Sequence, residues 1–265
     1  MEISKHTPGS FCWAELATTD QAAAKRFYSE LFGWGFNDVP IGPDSVYTML
    51  QLRGKELGAI YQLGQEQVEH GTPPHWLSYV AVESADLSGQ TITAAGGKLL
   101  MEPFDVFDAG RMAVAQDPAG ASFAIWQPRK HIGAQVKDET NAMCWNELAT
   151  RDIAAAKSFY GKVFGWNAVT NEAGPTTYTE FYLGAPKKSQ GVGGMLQMTQ
   201  EWGNIPPFWT IYFAVDDCDA TVGKAQTLGA VVRVSPTDIP NVGRFAVLVD
   251  GQGAGFCVIK LNQIS

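Results

Sequence analysis

Residues 12–34 read CWAELATTDQAAAKRFYSELFGW, and residues 144–166 repeat them as CWNELATRDIAAAKSFYGKVFGW, at an offset of 132. Further along, 73–82 is answered by 206–215 and 110–114 by 243–247, now at an offset of 133. Asp117 and Gly120 have counterparts in Asp250 and Gly253. Several colinear matches of this kind mean an internal duplication. Whatever one half folds into, the other must fold into as well. The joint falls in the polar stretch 128–141, so two similar domains are expected, 8–130 and 140–262.

Each copy divides again by pattern. Residues 11–18 alternate as a strand, with Cys12, Ala14 and Leu16 on one face and Trp13, Glu15 and Ala17 on the other. Asp20 suits an N-cap, Ala22-Ala23-Ala24-Lys25 favours helix, and Gly33 suits a C-terminal cap. Ala24, Phe27, Tyr28 and Leu31 form an apolar stripe at helical spacing. Strands are expected at 46–52 and 57–63. The second half of the copy repeats the order: a strand at 76–82, a helix from 86 to 95 stopped by Gly96-Gly97, then strands near 98–101, 111–116 and 121–127. The fold class is α+β, with four βαβββ modules in tandem, two per domain.

Composition removes several functions. The net charge of -8, without a basic run, repels a phosphate backbone, so no nucleic-acid partner is expected. No apolar stretch approaches the ~20 residues that cross a bilayer, so no membrane partner is expected either. Residues 1–8 lack the apolar segment of a secretion signal, and Cys12, Cys144, Cys218 and Cys257 form no CxxC pair. Reduced thiols and a cytoplasmic location follow as expectations.

The module order carries a resemblance. A strand, then Asp, then a helix ending in Phe-Tyr-x-x-x-Phe-Gly-Trp opens each copy. Val-x-x-x-Asp before a helix with Gly-Gly follows, then Asp-Pro-x-Gly before a last strand. This resembles the vicinal oxygen chelate superfamily of glyoxalase, bleomycin-resistance and extradiol dioxygenase proteins. Trp-x-Glu-Leu-x-Thr and Gly-Arg-Phe-Ala-Val are similar to its two-repeat, glyoxalase-like bacterial branch. The second copy departs in having Asp250-Gly251-Gln252-Gly253. The resemblance implies paired modules whose curved sheets form open β-cups. In metal-binding members the ligands lie on the first strand, on the strand opening the second module, and as a Glu on the last strand. Those positions fall here on Trp13, Leu77 and Ala124, and on Trp145, Thr210 and Cys257. None but Cys257 is a metal ligand. All four histidines (His6, His70, His75 and His131) precede residue 132, so the second copy has none. No metal and no cofactor are therefore expected.

Period two sends Glu15 to the side of Trp13, and Glu147 to the side of Trp145. A carboxyl beside indole and phenol rings has its pKa raised, which suits a general base or a ligand contact; the same carboxyl can equally bond its neighbours structurally. Glu15 and Glu147 are the candidate catalytic residues. Trp13, His75, Tyr79 and Trp126, with Trp145 and Tyr212, are the candidate ligand-binding residues. The first copy is favoured as the site, because it alone adds a histidine. Arg111 and Arg244 are open between loop anchor and anion contact, and Asp117 and Asp250 read as turn residues. Two functions remain: a binding protein for a small organic molecule, or an enzyme of the superfamily (lyase, isomerase, hydroxylase or dioxygenase) that uses these carboxyls or a relocated metal. The expected partner is a small-molecule ligand, and the chain is expected to be a monomer or a homodimer.

Overall fold

The computed structural model describes residues 3–43, 45–171, 177–186 and 191–262. Within the second expected domain, 172–176 and 187–190 lie outside that set. The first copy runs β1 (Phe11–Thr18), α1 (Gln21–Phe32), β2 (Gly35–Gly42), β3 (Ser45–Leu52), β4 (Lys55–Gln62), the single-turn α2 (Gln65–Glu69), β5 (His75–Ala81), α3 (Ala85–Ala94), β6 (Lys98–Val106), β7 (Gly110–Gln116) and β8 (Ser122–Pro128). The second runs β9 (Met143–Thr150), α4 (Ile153–Phe164), β10 (Trp166–Asn171), β11 (Tyr178–Leu183), β12 (Gly191–Gln197), β13 (Phe208–Ala214), α5 (Cys218–Thr227), β14 (Val231–Ile239), β15 (Gly243–Val249) and β16 (Gly255–Leu261).

Each copy forms one eight-stranded sheet, ordered β2-β3-β4-β1-β5-β8-β7-β6 and β10-β11-β12-β9-β13-β16-β15-β14. The opening strands of the two modules pair antiparallel at the centre, and each is flanked in parallel by the last strand of its own module. These are the four βαβββ modules that the duplication predicts. Asp20 and Asp152 cap their helices by accepting the N–H of Ala23 (2.8 Å) and Ala155 (2.9 Å). Gly33 and Gly165 end those helices at φ 71° and 70°, left-handed backbone that favours glycine. One strand has no signal in the sequence. β2 carries Asn37, Asp38 and Pro40, all poor strand formers, and is tolerated because it is an outermost strand with every residue exposed.

The apolar cores are shared between the copies. One joins α1, Ala14 and Leu16 of β1, and Trp76 to Ile211 and Phe213 of β13, to α5, and to Leu248 and Phe256. The other joins Val80, Ile92, Phe123 and Ile125 to Phe159, Tyr160, Trp166, Phe181 and Trp209. Each core therefore sits between the first module of one copy and the second module of the other. The cups are lined differently, each by residues of its own copy.

Polar bonds fix this crossed arrangement. Tyr28 donates its hydroxyl to Asp250 Oδ2 at 3.0 Å and accepts the Trp76 indole N–H at 3.0 Å. In mirror fashion Tyr160 donates to Asp117 Oδ2 at 3.0 Å and accepts from Trp209 at 2.8 Å. Trp34 donates to the carbonyl of Asn141 and Trp166 to that of Gly9, both at 2.7 Å. Asp117 and Asp250 do hold turns. Their Oδ1 atoms accept the N–H groups of Ala119 and Ala121, and of Gln252, Gly253 and Ala254, at 2.9–3.0 Å. The second oxygen of each is the one that reaches across. Also between the copies, Ser78 Oγ donates to Asn146 Oδ1 at 2.5 Å, both residues buried. By the repeat offsets the matching positions are Ala14 and Ile211, an apolar pair.

Because each core draws on both copies, chemical denaturation followed by near- and far-ultraviolet circular dichroism should show one cooperative transition rather than two. Tyr28→Phe leaves a buried indole N–H without its acceptor and should cost about 1–3 kcal/mol. Tyr160→Phe should cost a similar amount, and the two losses should add in the double variant, since the sites share no partner. Separate transitions, or losses close to zero, would contradict the shared-core description.

Candidate functional site

The concave face of the first sheet can be read in rows from its register. Met49, Ala59, Glu15 and Leu77 form one row. Tyr47, Tyr61, Ala17 and His75 form the row on one side of it, and Trp13, Tyr79, Ala124 and Val114 the row on the other. Glu15 therefore projects into a collar of phenols. Tyr47 donates to Glu15 Oε2 at 2.6 Å and lies 3.3 Å from the Trp13 indole nitrogen, which donates to it. Tyr79 also bonds the carboxyl, a better acceptor than the Met112 sulfur 4.0 Å from the same hydroxyl. Burial raises the Glu15 pKa above the ordinary glutamate value, and the two phenol bonds oppose that rise only in part. The same surroundings raise Tyr47 and Tyr79 far above an ordinary phenol.

The second cup repeats the constellation. Tyr212 donates to Glu147 Oε1 at 2.9 Å, Tyr178 bonds the same carboxyl, and the Trp145 indole donates to Tyr178 at 2.9 Å. Burial again raises the pKa of Glu147. Gly194 lies beside Glu147 in register, and a Cβ there would run into the Tyr178 hydroxyl. Beyond it in the same row stands Glu180, where the first cup has Met49. Tyr182 donates a hydrogen bond to Glu180. This second carboxyl was legible in the alternation Tyr178-Glu180-Tyr182, which the repeat alone does not flag.

The structure brings Trp13, Glu15, Tyr79 and Trp126 into one cup, and Trp145, Glu147 and Tyr212 into the other. Trp126 reaches out of its strand to donate to the His131 carbonyl at 2.9 Å. His75 sits at the rim beside Ala17, with Nδ1 2.8 Å from the Pro73 carbonyl. The imidazole against the cup aromatics is instead His131, edge-on to Trp13 with ring centres 4.8 Å apart and to Trp126 at 6.0 Å. It arrives on the connector between the copies, whose path no local pattern reveals. Cys12 differs from the simple alternation: β1 bulges between Phe11 and Trp13, and Cys12 packs with the cup residues. Arg111 is held by Asp86 and Asp105, and Arg244 by Asp219 and Asp238, at 2.6–3.0 Å, so both serve as anchors between helix and edge strand.

At the metal-ligand positions that the superfamily resemblance implies stand Trp13, Leu77 and Ala124, then Trp145, Thr210 and Cys257. Among the described residues no three His, Cys, Asp or Glu side chains are grouped to hold a metal ion. None of the described helices is long and apolar enough to cross a membrane.

Comparison with known proteins places the chain in a family. The chain is 42% identical to CFP32 of Mycobacterium bovis, provisionally named a glyoxylase, over 97% of each chain. It is 36% identical to the anthracycline biosynthesis protein DnrV of Streptomyces peucetius, over 98% of this chain and 96% of that one. The fold is similar to that of the Mn(II)-bound glyoxalase of Novosphingobium aromaticivorans, with a TM-score of 0.65 at 14% identity over 96% of this chain and 82% of that one. It is also similar to the 2,3-dioxygenase LapB of Pseudomonas sp. KL28, with a TM-score of 0.62 at 12% identity over 95% and 91%. The model of the glyoxalase/bleomycin resistance protein/dioxygenase superfamily matches residues 10–125 and again 131–258, and the chain belongs to that superfamily.

Proposed function

We propose that the protein binds a small, flat organic molecule inside a β-cup, with a glutamic acid as its polar contact and without the superfamily's metal. The observation that carries this reading is the repeated Trp–Tyr–Glu constellation, in which two phenols orient one partly buried carboxyl in each cup. Aromatic walls around one or two convergent polar groups are the usual make-up of a small-molecule site. The donor set does not fit a hard metal ion, since Trp, Leu, Thr and Ala hold five of the six ligand positions. The name of DnrV, an anthracycline biosynthesis protein, supports a planar hydroxylated aromatic as the ligand class. A carboxyl with raised pKa can also move a proton to or from such a ligand, so acid–base catalysis by Glu15 or Glu147 is the second reading, favoured by that same burial.

The raised carboxyls give a pH signature. Each binds its proton more tightly in the fold than in the unfolded chain, whose glutamate titrates near 4.5. The stability they contribute is therefore fully present below that value and is lost as the pH rises through their folded values. Guanidinium denaturation from about pH 4 to about pH 8 should show wild type losing stability relative to the Glu15→Gln/Glu147→Gln double variant. Parallel curves would mean that neither carboxyl is raised.

Quinizarin, a planar dihydroxylated quinone, serves as a probe ligand. Titration calorimetry should show binding by wild type, and the double Gln variant should bind at least about tenfold more weakly, a loss of about 1.4 kcal/mol. Its melting temperature should hold level or rise. Unchanged binding together with a stability loss of about 1–3 kcal/mol would make the carboxyls structural. Elemental analysis of purified protein should find iron, nickel, zinc and manganese each well below one equivalent. A stoichiometric metal lost on mutating Glu15, Glu147 or Glu180 would overturn the metal-free reading.

A further inference from the structure

Among the described residues the two cups share a plan but differ in what covers them. Residues 129–136, on the connector between the copies, cross the first cup. The N–H of Ala134 bonds the Cys12 carbonyl at 2.7 Å, that of Gln135 bonds the Glu56 carbonyl at 2.7 Å, and His131 Nε2 meets Glu56 Oε2 at 3.1 Å. The chain comes so close that a Cβ at Gly133, φ 101°, would lie 2.5 Å from the Cys12 carbonyl oxygen. Under this strap Cys12 is fully buried, Trp13 is 4% exposed and Leu77 8%. Their counterparts in the second cup, Cys144, Trp145 and Thr210, are all partly exposed.

The strap also shows what a cup of this kind accepts. The His131 imidazole stands roughly perpendicular to both Trp13 and Trp126, a small flat ring held by indoles with a hydrogen-bonding nitrogen turned to a carboxylate. In the second cup Trp145 is partly exposed, and the row below it carries two carboxyls, Glu147 and Glu180, separated by Gly194, over which the Tyr178 hydroxyl lies. The first cup has Met49 and Ala59 at the positions of Glu180 and Gly194.

We infer that the second cup is the working site, taking a flat aromatic ring that bears hydrogen-bond donors, and that the connector covers the Cys12–Trp13 side of the first cup, with the His131 ring standing where a ligand ring would. Trp145 provides the aromatic wall, and Glu147 and Glu180 accept from the donors on either side of the Tyr178 hydroxyl, which fills the space over Gly194. This assignment rests on the ligand-binding reading above and adds to it which cup binds and with which second carboxyl.

The experiment has two arms on the full-length chain. The first uses N-ethylmaleimide on native protein, with mass-spectrometric mapping of the four free cysteines. Burial pushes the thiols of Cys12 and Cys144 up to about the same pKa, about 12, so the ratio of their labelling rates reads access rather than thiolate fraction. Cys144 should label at least about tenfold faster than Cys12, and His131→Gly should narrow that ratio by loosening the strap. Equal rates in wild type would overturn the assignment. The second arm titrates quinizarin. One equivalent should bind per chain, and Glu180→Met and Glu147→Gln should each weaken it at least about tenfold. Two equivalents, or a loss confined to Glu15→Gln, would overturn the assignment and leave the ligand-binding reading standing. No binding at all, with Cys144 still the faster thiol, would overturn the ligand-binding reading itself, and the assignment of a working cup with it.

Discussion

The fold depends on a pair of phenol–carboxylate bonds between its halves. Tyr28 and Tyr160 each leave their own copy and end on the aspartate of a turn in the other, and each takes an indole N–H from its own copy. These groups are buried, so each supplies what another would lack. The aromatic stack behind them follows. Tyr28 lies flat on Trp34 and Tyr160 flat on Trp166, with ring centres 5.6 Å and 5.4 Å apart. The helices are thereby held between the sheets. The concave faces are left out of the shared cores, each lined by its own copy.

Much of this was legible because the chain states it twice. Repetition located the modules, the helix ends at Asp20 and Gly33, and the inward face of Trp13 and Glu15, since period-two alternation is a local property. What escaped was non-local. Asp117 reads as a turn residue and is one, but the partner of its second oxygen lies 43 positions away in the other copy. The connector looks like a polar joint, yet it folds back over one side of the first cup and sets His131 against Trp13 and Trp126. His75, the histidine beside a strand in the sequence, ends at the rim.

Local irregularity explains the remaining differences. A bulge of one residue turns Cys12 toward the cup residues, against the parity of its strand. β2 escapes notice because an edge strand, hydrogen-bonded on one side and exposed along its length, is free of the apolar alternation that betrays inner strands. Glu180 is inconspicuous because its counterpart in the first copy is Met49. Features that differ between the copies are the ones a repeat cannot reveal, and the two cups differ most in their polar lining and in their covering.

The buried Ser78–Asn146 bond has a consequence for the ancestry of the chain. Were two first copies to pair with each other in this geometry, each Ser78 would face Ala14; were two second copies to do so, each Asn146 would face Ile211. Either self-pairing strands two polar groups against hydrocarbon, where each costs about 1–3 kcal/mol, while the mixed pairing satisfies both. The halves have thus become mutually selective. A gene duplication that began with interchangeable parts has lost its interchangeability at one contact, and fusion in a single chain keeps the matched partners together at every synthesis.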